Sequence, residues 1–158
     1  YSIMRSDKLN VNSNSFGEDN IRIIEISGAY TLSADDSGSC LLINAPAACS
    51  VKLPLAKGNA GVYWDIAVKT AATGDVDFDA KDTSDDHEYF VGFVSDSEVD
   101  AQSAVTFNGT SHDQLTVGSD AAAGQAYIRI MSDGTSWHVN GQAVDISGVA
   151  NGTASANN

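Results

Sequence analysis

Proline is nearly absent from this chain, with two residues in 158, and the helix formers Glu, Lys, Leu and Arg are few beside Val, Ile, Ala, Thr, Ser, Gly and Asp. That imbalance argues against a helical bundle and for an all-β fold. Positive charge is scarce too: eight Lys and Arg stand against 21 acids, a net charge of -13, and the basic residues form no cluster. An acidic surface repels a phosphate backbone, so no direct nucleic-acid partner is expected. No apolar run approaches the roughly 20 residues of a membrane helix, so no membrane partner is expected either. The opening "YSIMRSDKLN" lacks the apolar centre of a signal peptide, while a start at Tyr1 rather than Met leaves secretion open. Two cysteines make no zinc set without further Cys or a nearby His. Cys40 and Cys49 flank "LLINAPAA", the length of a strand, a turn and the next strand. They fit either a cross-strand disulfide or two small buried thiols.

What is present is a series of short β-like runs. Residues 1 to 20 are polar and rich in Asn and Ser, with isolated apolar anchors, and are expected to form an extended arm. From Ile21 the runs "IRIIEI", "YTL", "CLLIN", "SVKL", "VYWDIAV", "DVDFDA", "EYFVGF", "AVTF", "QLTV", "AYIRIM" and "SWHVN" follow one another, separated by turn residues. Such spacing predicts one domain over 21–146, an antiparallel β-sandwich or jelly-roll-like barrel. Asp133-Gly134 between "AYIRIM" and "SWHVN" predicts a hairpin with a tight primed turn, in which Ala126, Ile128 and Ile130 alternate with Tyr127, Arg129 and Met131, while Trp137 and Val139 share one face of the partner strand. The Ala-rich stretches are broken by Pro46 and Gly124, so little or no helix is expected. Residues 147–158, "SGVANGTASANN", carry too little apolar surface to offset ordering entropy and are expected to be a flexible tail.

Candidate chemistry is thin. "YTLSADDSG" places Asp35 and Asp36 beside Ser37. Paired carboxylates act as acid and base only in a desolvated cleft, and neighbours on a strand face opposite ways. A serine nucleophile needs a base, yet the nearest His in sequence is His87 and no G-x-S-x-G surrounds Ser37. Asp, Ser and Gly in series make turns, so this stretch is expected to be a corner. "GDVDFDAKDTSDDHE" has Asp75, Asp77 and Asp79 in D-x-D-x-D spacing, but Ala80 stands where a calcium loop needs Gly, and Asp86 where it needs Glu. A half-exposed strand is expected instead, with Val76, Phe78 and Ala80 inward and the aspartates outward, leading to Asp82, Asp85 and Asp86. His87, His112 and His138 form no metal-binding spacing, the two "NGT" triplets at Asn108 and Asn151 match a glycosylation acceptor but are expected to be ordinary turns, and "KGNAG" lacks the Lys-Ser/Thr of a phosphate loop. No catalytic residue, cofactor or metal is expected, and no enzyme.

The run from Gly28 to Val68, "GAYTLSADDSGSCLLINAPAACSVKLPLAKGNAGVYWDIAV", resembles a β-module of tailed-bacteriophage virion surface proteins, among them capsid decoration (cement) proteins and tail-fibre segments. The shared features are a "YTL-x-A-x-DSG" opening, a "V-x-LP" strand, a Gly-containing turn and an aromatic-rich strand. The closing "DGTSWHVNG" is similar to the hairpin that ends such modules. The resemblance covers about a quarter of the chain and implies a structural protein, commonly trimeric, with no catalytic residue. It implies a cement protein on the outer capsid surface of the virion, a homotrimer whose partner is the major capsid protein.

On that reading Ile3, Met4, Arg5 and Phe16 in the arm are the candidate capsid contacts. Tyr63 and Trp64 point to opposite faces of one strand, which puts one in the core and the other at a candidate subunit contact. The alternative is a tail-fibre, receptor-binding or carbohydrate-binding module, with Trp64, Tyr89 or Trp137 stacking on sugar beside the aspartates. A β-barrel glycosidase would need two carboxylates about 5 to 10 Å apart, and no pair stands out.

Overall fold

The computed structural model describes residues 20–80, 88–97 and 103–150. Within them lie twelve strands: β1 (Ile23–Ile26), β2 (Tyr30–Thr31), β3 (Cys40–Asn44), β4 (Cys49–Lys52), β5 (Tyr63–Thr70), β6 (Val76–Asp79), β7 (Phe90–Asp96), β8 (Ser103–Asn108), β9 (His112–Val117), β10 (Ala126–Ser132), β11 (Trp137–Ala143) and β12 (Ile146–Ala150). They build a seven-stranded sheet, β1-β3-β5-β10-β11-β7-β8, and a five-stranded sheet, β12-β9-β6-β4-β2. A single 3-10 turn at Ala34–Asp36 is the helical element recorded among these residues.

Apolar and polar residues alternate along the strands because one face of each sheet meets the other sheet. β10 buries Ala126, Ile128, Ile130 and Ser132 and exposes Tyr127, Arg129 and Met131; β6 buries Val76 and Phe78 and turns Asp77 and Asp79 outward. Trp64, Trp137, Phe78, Phe90 and Phe107 are the largest fully buried side chains. Trp64 and Trp137 lie with ring centroids 5.4 Å apart, and Phe90 meets Phe107 edge-on at 5.9 Å.

The all-β sandwich-like architecture is as the run spacing predicts, but the strand directions are not uniformly antiparallel. β1, β3 and β5 run parallel in the large sheet, and β2, β4 and β6 run parallel in the small one. The first six strands therefore wind back and forth between the layers. The turn residues that separate them mark corners between sheets, where a hairpin would have kept both strands in one sheet. β7 also lies parallel to β11, while β10 pairs antiparallel with β5 and β11.

Two local expectations are corrected. The β10–β11 hairpin forms, but its last strand pair is Ser132 with Trp137, leaving a four-residue loop where a two-residue primed turn was expected. Asp133 organises that loop, accepting the backbone N–H of Thr135 and of Ser136 at 2.7 Å each. Residues 147–150, expected to open the tail, belong instead to β12, which pairs antiparallel with β9, and residues 151–158 lie outside the described residues. Gly148 explains why so small-residued a stretch belongs in the sheet: a Cβ there would sit 2.5 Å from the Phe107 ring, so the absent side chain makes room for a core aromatic.

Candidate functional site

Asp36 and Ser37, the central polar groups of the acidic corner, are engaged in building it. The Ser33 N–H donates to Asp36 Oδ2 at 3.0 Å, and Arg22 pairs with Asp36 Oδ1 at 3.2 Å. The Trp64 indole N–H donates to the Asp36 carbonyl at 2.9 Å, Ser37 Oγ accepts the Tyr63 N–H at 3.0 Å, and the Gly38 N–H donates to the Tyr63 carbonyl at 2.8 Å. Asp35 is left exposed. The stretch ties the β2–β3 corner onto β5, the corner expected.

The outer face of the small sheet carries the aspartate row. Asp77 Oδ1 accepts the Thr116 hydroxyl and Asp79 Oδ1 accepts the Gln114 amide, each at 2.7 Å across the β6–β9 pair. Burial pushes the Asp79 carboxyl above its ordinary range, with Asp77 and Asp113 adding to the rise and Gln114 and Lys52 opposing it. An extended strand holds alternate residues about 6.6 Å apart in a line. A calcium ion instead wants six to eight oxygens within about 2.6 Å. Among the described residues no group of three or more His, Cys, Asp or Glu could hold a metal. Asp82, Asp85, Asp86 and His87 lie outside the described residues.

The outer face of the large sheet is of a different character. Ile23, Phe93, Tyr127 and Met131 stand on it, 52%, 56%, 56% and 41% exposed, and Ile21 at its β1 edge is 64% exposed. These five are all the exposed large apolar side chains among the described residues. A single cross-strand row runs Ile23, Cys40, Asp65, Arg129, Asn140, Phe93, Thr106.

At its centre Arg129 holds Asp65 in a bidentate pair, 2.8 Å from Nε and 3.0 Å from Nη2. The guanidinium carbon lies 4.7 Å over the Tyr63 ring. Hydrogen bonding to Arg129 holds the Asp65 carboxyl below the usual carboxylate range against the opposing effect of burial, and a hydrogen bond with Tyr127 lowers it further. The same contact raises Arg129 above its ordinary value. Nearer β1, Lys69 pairs with Glu25 at 3.2 Å and the Asn44 amide donates to Glu25 at 3.0 Å. At the β10–β11 end His138 meets Asp133 at 2.7 Å.

The sequence candidates divide accordingly. Tyr63 lies half-buried on this outer face and Trp64 is fully buried in the core, so the two do point opposite ways. With Trp64 and Trp137 both sealed inside, neither serves as the sugar-stacking platform that the carbohydrate reading asks of them. Ile3, Met4, Arg5 and Phe16 lie outside the described residues. Cys40 and Cys49 are free thiols in different sheets, each half-buried and each raised by burial. His112 stacks edge-on against Phe107 at 5.7 Å. Asn108 spends its side-chain carbonyl on the N–H groups of Thr110 and Ser111, the turn expected there. A shallow cleft beside Tyr127, lined by Gly124, Gln125, Gln142 and Val144, holds about 130 Å³. That is below the roughly 300 Å³ at which small-molecule sites begin.

Sequence reading separates Tyr127, Arg129 and Met131 from the core residues of β10, but it misses the surface they join. Membership depends on register between strands as far apart as β5 and β10, where Asp65 and Arg129 stand 64 residues apart. The visible signal is that "AYIRIM" and "EYFVGF" place large apolar residues at both parities. No family profile, curated protein or solved structure matches this chain.

Proposed function

We propose that the chain is a structural protein of a tailed-phage virion, a capsid decoration protein. It sits as a homotrimer on the outside of the head and bridges neighbouring copies of the major capsid protein. The observation that carries this reading is the outer face of the seven-stranded sheet, on which the exposed large apolar side chains Ile23, Phe93, Tyr127 and Met131 stand. Its aromatic and aliphatic groups surround ion pairs that are already satisfied within the chain. An exposed face of that kind suits a broad protein contact. The "YTLSADDSG" corner supports the same reading, since it holds the sandwich together and uses Asp36 and Ser37 for that.

The mechanism is mechanical. A trimer that contacts several capsomers at once gains by effective concentration what no single contact supplies, and so opposes expansion of a shell under internal pressure. The arm over residues 1–20, with Ile3, Met4, Arg5 and Phe16 as anchors, is the proposed capsid contact, because an arm that orders on binding covers much surface with few residues. Cosedimentation with purified heads stripped of the protein tests this. The full chain is expected to pellet with heads, and a chain lacking residues 1–20 to keep its thermal transition yet stay in the supernatant. Equal binding by both would overturn the role of the arm, and no binding by either would overturn decoration.

A further inference from the structure

We infer that the outer face of the seven-stranded sheet is the surface by which copies of this chain meet, each copy turning that face toward the axis of the assembly. The inference deepens the proposed homotrimer and rests on it for the number of copies, while the choice of face stands on three observations of its own.

The first is composition. Every exposed large apolar side chain among the described residues lies on this face or at its β1 edge, and none lies on the outer face of the small sheet. The second is charge. The chain carries -13 overall, so most approaches of one copy to another bring acid against acid. On this face, however, Glu25, Asp65 and Asp133 each have a partner in Lys69, Arg129 and His138. Among the described strand residues of this face no carboxylate is left unpaired when two such faces meet, and the described acids of the small sheet lie behind them, screened over about 8 Å at physiological salt. A cationic partner would be drawn to the acidic remainder of the molecule in preference to this face, so a second copy is the occupant that its near-neutrality fits.

The third observation is size and arrangement. Seven strands at about 4.8 Å spacing and strands of about seven residues at roughly 3.3 Å each give a face of about 29 by 23 Å. That is on the order of 700 Å² per copy, which a ring divides between two neighbours, so a closed trimer would bury on the order of 2,000 Å² in all, the scale of a stable assembly. Its apolar groups stand at opposite sides, Ile21 and Ile23 at the β1 edge and Phe93 on β7, with Tyr127 and Met131 between them. Joining the Ile23 side of one copy to the Phe93 side of the next is a heterologous contact, and a rotation of a third of a turn per copy closes it into a ring of three that uses both sides of every copy.

Sedimentation equilibrium of the full chain at physiological salt, with Phe93→Glu, Ile23→Glu and the control Thr31→Glu, tests the inference. Thr31 is exposed on β2 at the far edge of the other sheet, and Phe93 and Ile23 are more than half exposed, so the fold should tolerate all three. A loss of the thermal transition in a variant would be met by Phe93→Ser or Ile23→Thr in its place. The expected result is a trimer for the unmodified chain and for Thr31→Glu, with at least tenfold weaker association for each of the other two. A trimer indifferent to both substitutions overturns this face and leaves the homotrimer standing. A dimer dissociated by both supports the face and overturns the trimer. A monomeric full chain overturns both.

Discussion

Trp64 and Trp137 are stacked in one core, yet only Trp64 has a partner for its indole N–H: it donates to the Asp36 carbonyl, while Trp137 Nε1 is buried with no acceptor. The same substitution should therefore cost different amounts at the two positions. Trp64→Phe loses volume and one of the two hydrogen bonds to the Asp36 carbonyl, which the Ser39 N–H also reaches at 3.3 Å, whereas Trp137→Phe loses volume and removes an unsatisfied donor. Urea denaturation is expected to show Trp64→Phe the more damaging by about 1 kcal/mol. Equal losses would mean that the corner does not depend on the tryptophan. Asp65 offers a second test, because its carboxyl is held low by Arg129. A depressed carboxylate contributes stability that is present above its unfolded pKa near 3.8 and lost as pH falls through the lower folded value. Arg129→Met should thus destabilise by about 1 kcal/mol at pH 7 after solvent screening, and the gap to the unmodified chain should close toward pH 3. A gap independent of pH would assign the loss to packing over Tyr63 instead.

At the scale of elements, β10 and β11 approach so closely at Gly141 that a Cβ there would lie 2.1 Å from the Tyr127 carbonyl oxygen, and the residue sits at φ +146°. Gly141→Ala is expected to cost at least about 2 kcal/mol in chemical denaturation, from strain and clash together; a neutral result would show that the strand pair can separate there without loss. Strand existence was legible because alternation is local: each of the eleven runs from "IRIIEI" to "SWHVN" became a strand. The partners were not legible. Asp35 to Gly38 and the turn at Pro46 look alike whether the chain folds back beside itself or crosses to the other sheet, and here they are crossings. β12 escaped notice because Gly148, which reads as a tail residue, is small in order to admit Phe107. The outer face escaped for the same reason as the pairing: Asp65 and Arg129 meet only once β5 and β10 are neighbours.

On the scale of the whole molecule, two sheets share one core, and the two outer faces differ. One is polar, crossed by the Asp77 and Asp79 hydrogen bonds, and the other bears the exposed aromatic and aliphatic groups. The proposed role, many copies on a shell, calls for a rigid body and contact surfaces more than for a cleft. The central claim is therefore one of stoichiometry. Quantitative mass spectrometry of purified virions, counting this chain against the major shell protein, tests it most directly. Hundreds of copies in a simple ratio to the shell protein are expected for a trimer decorating the head. A handful per particle would place the chain in the tail or fibre, and none would contradict a virion role altogether.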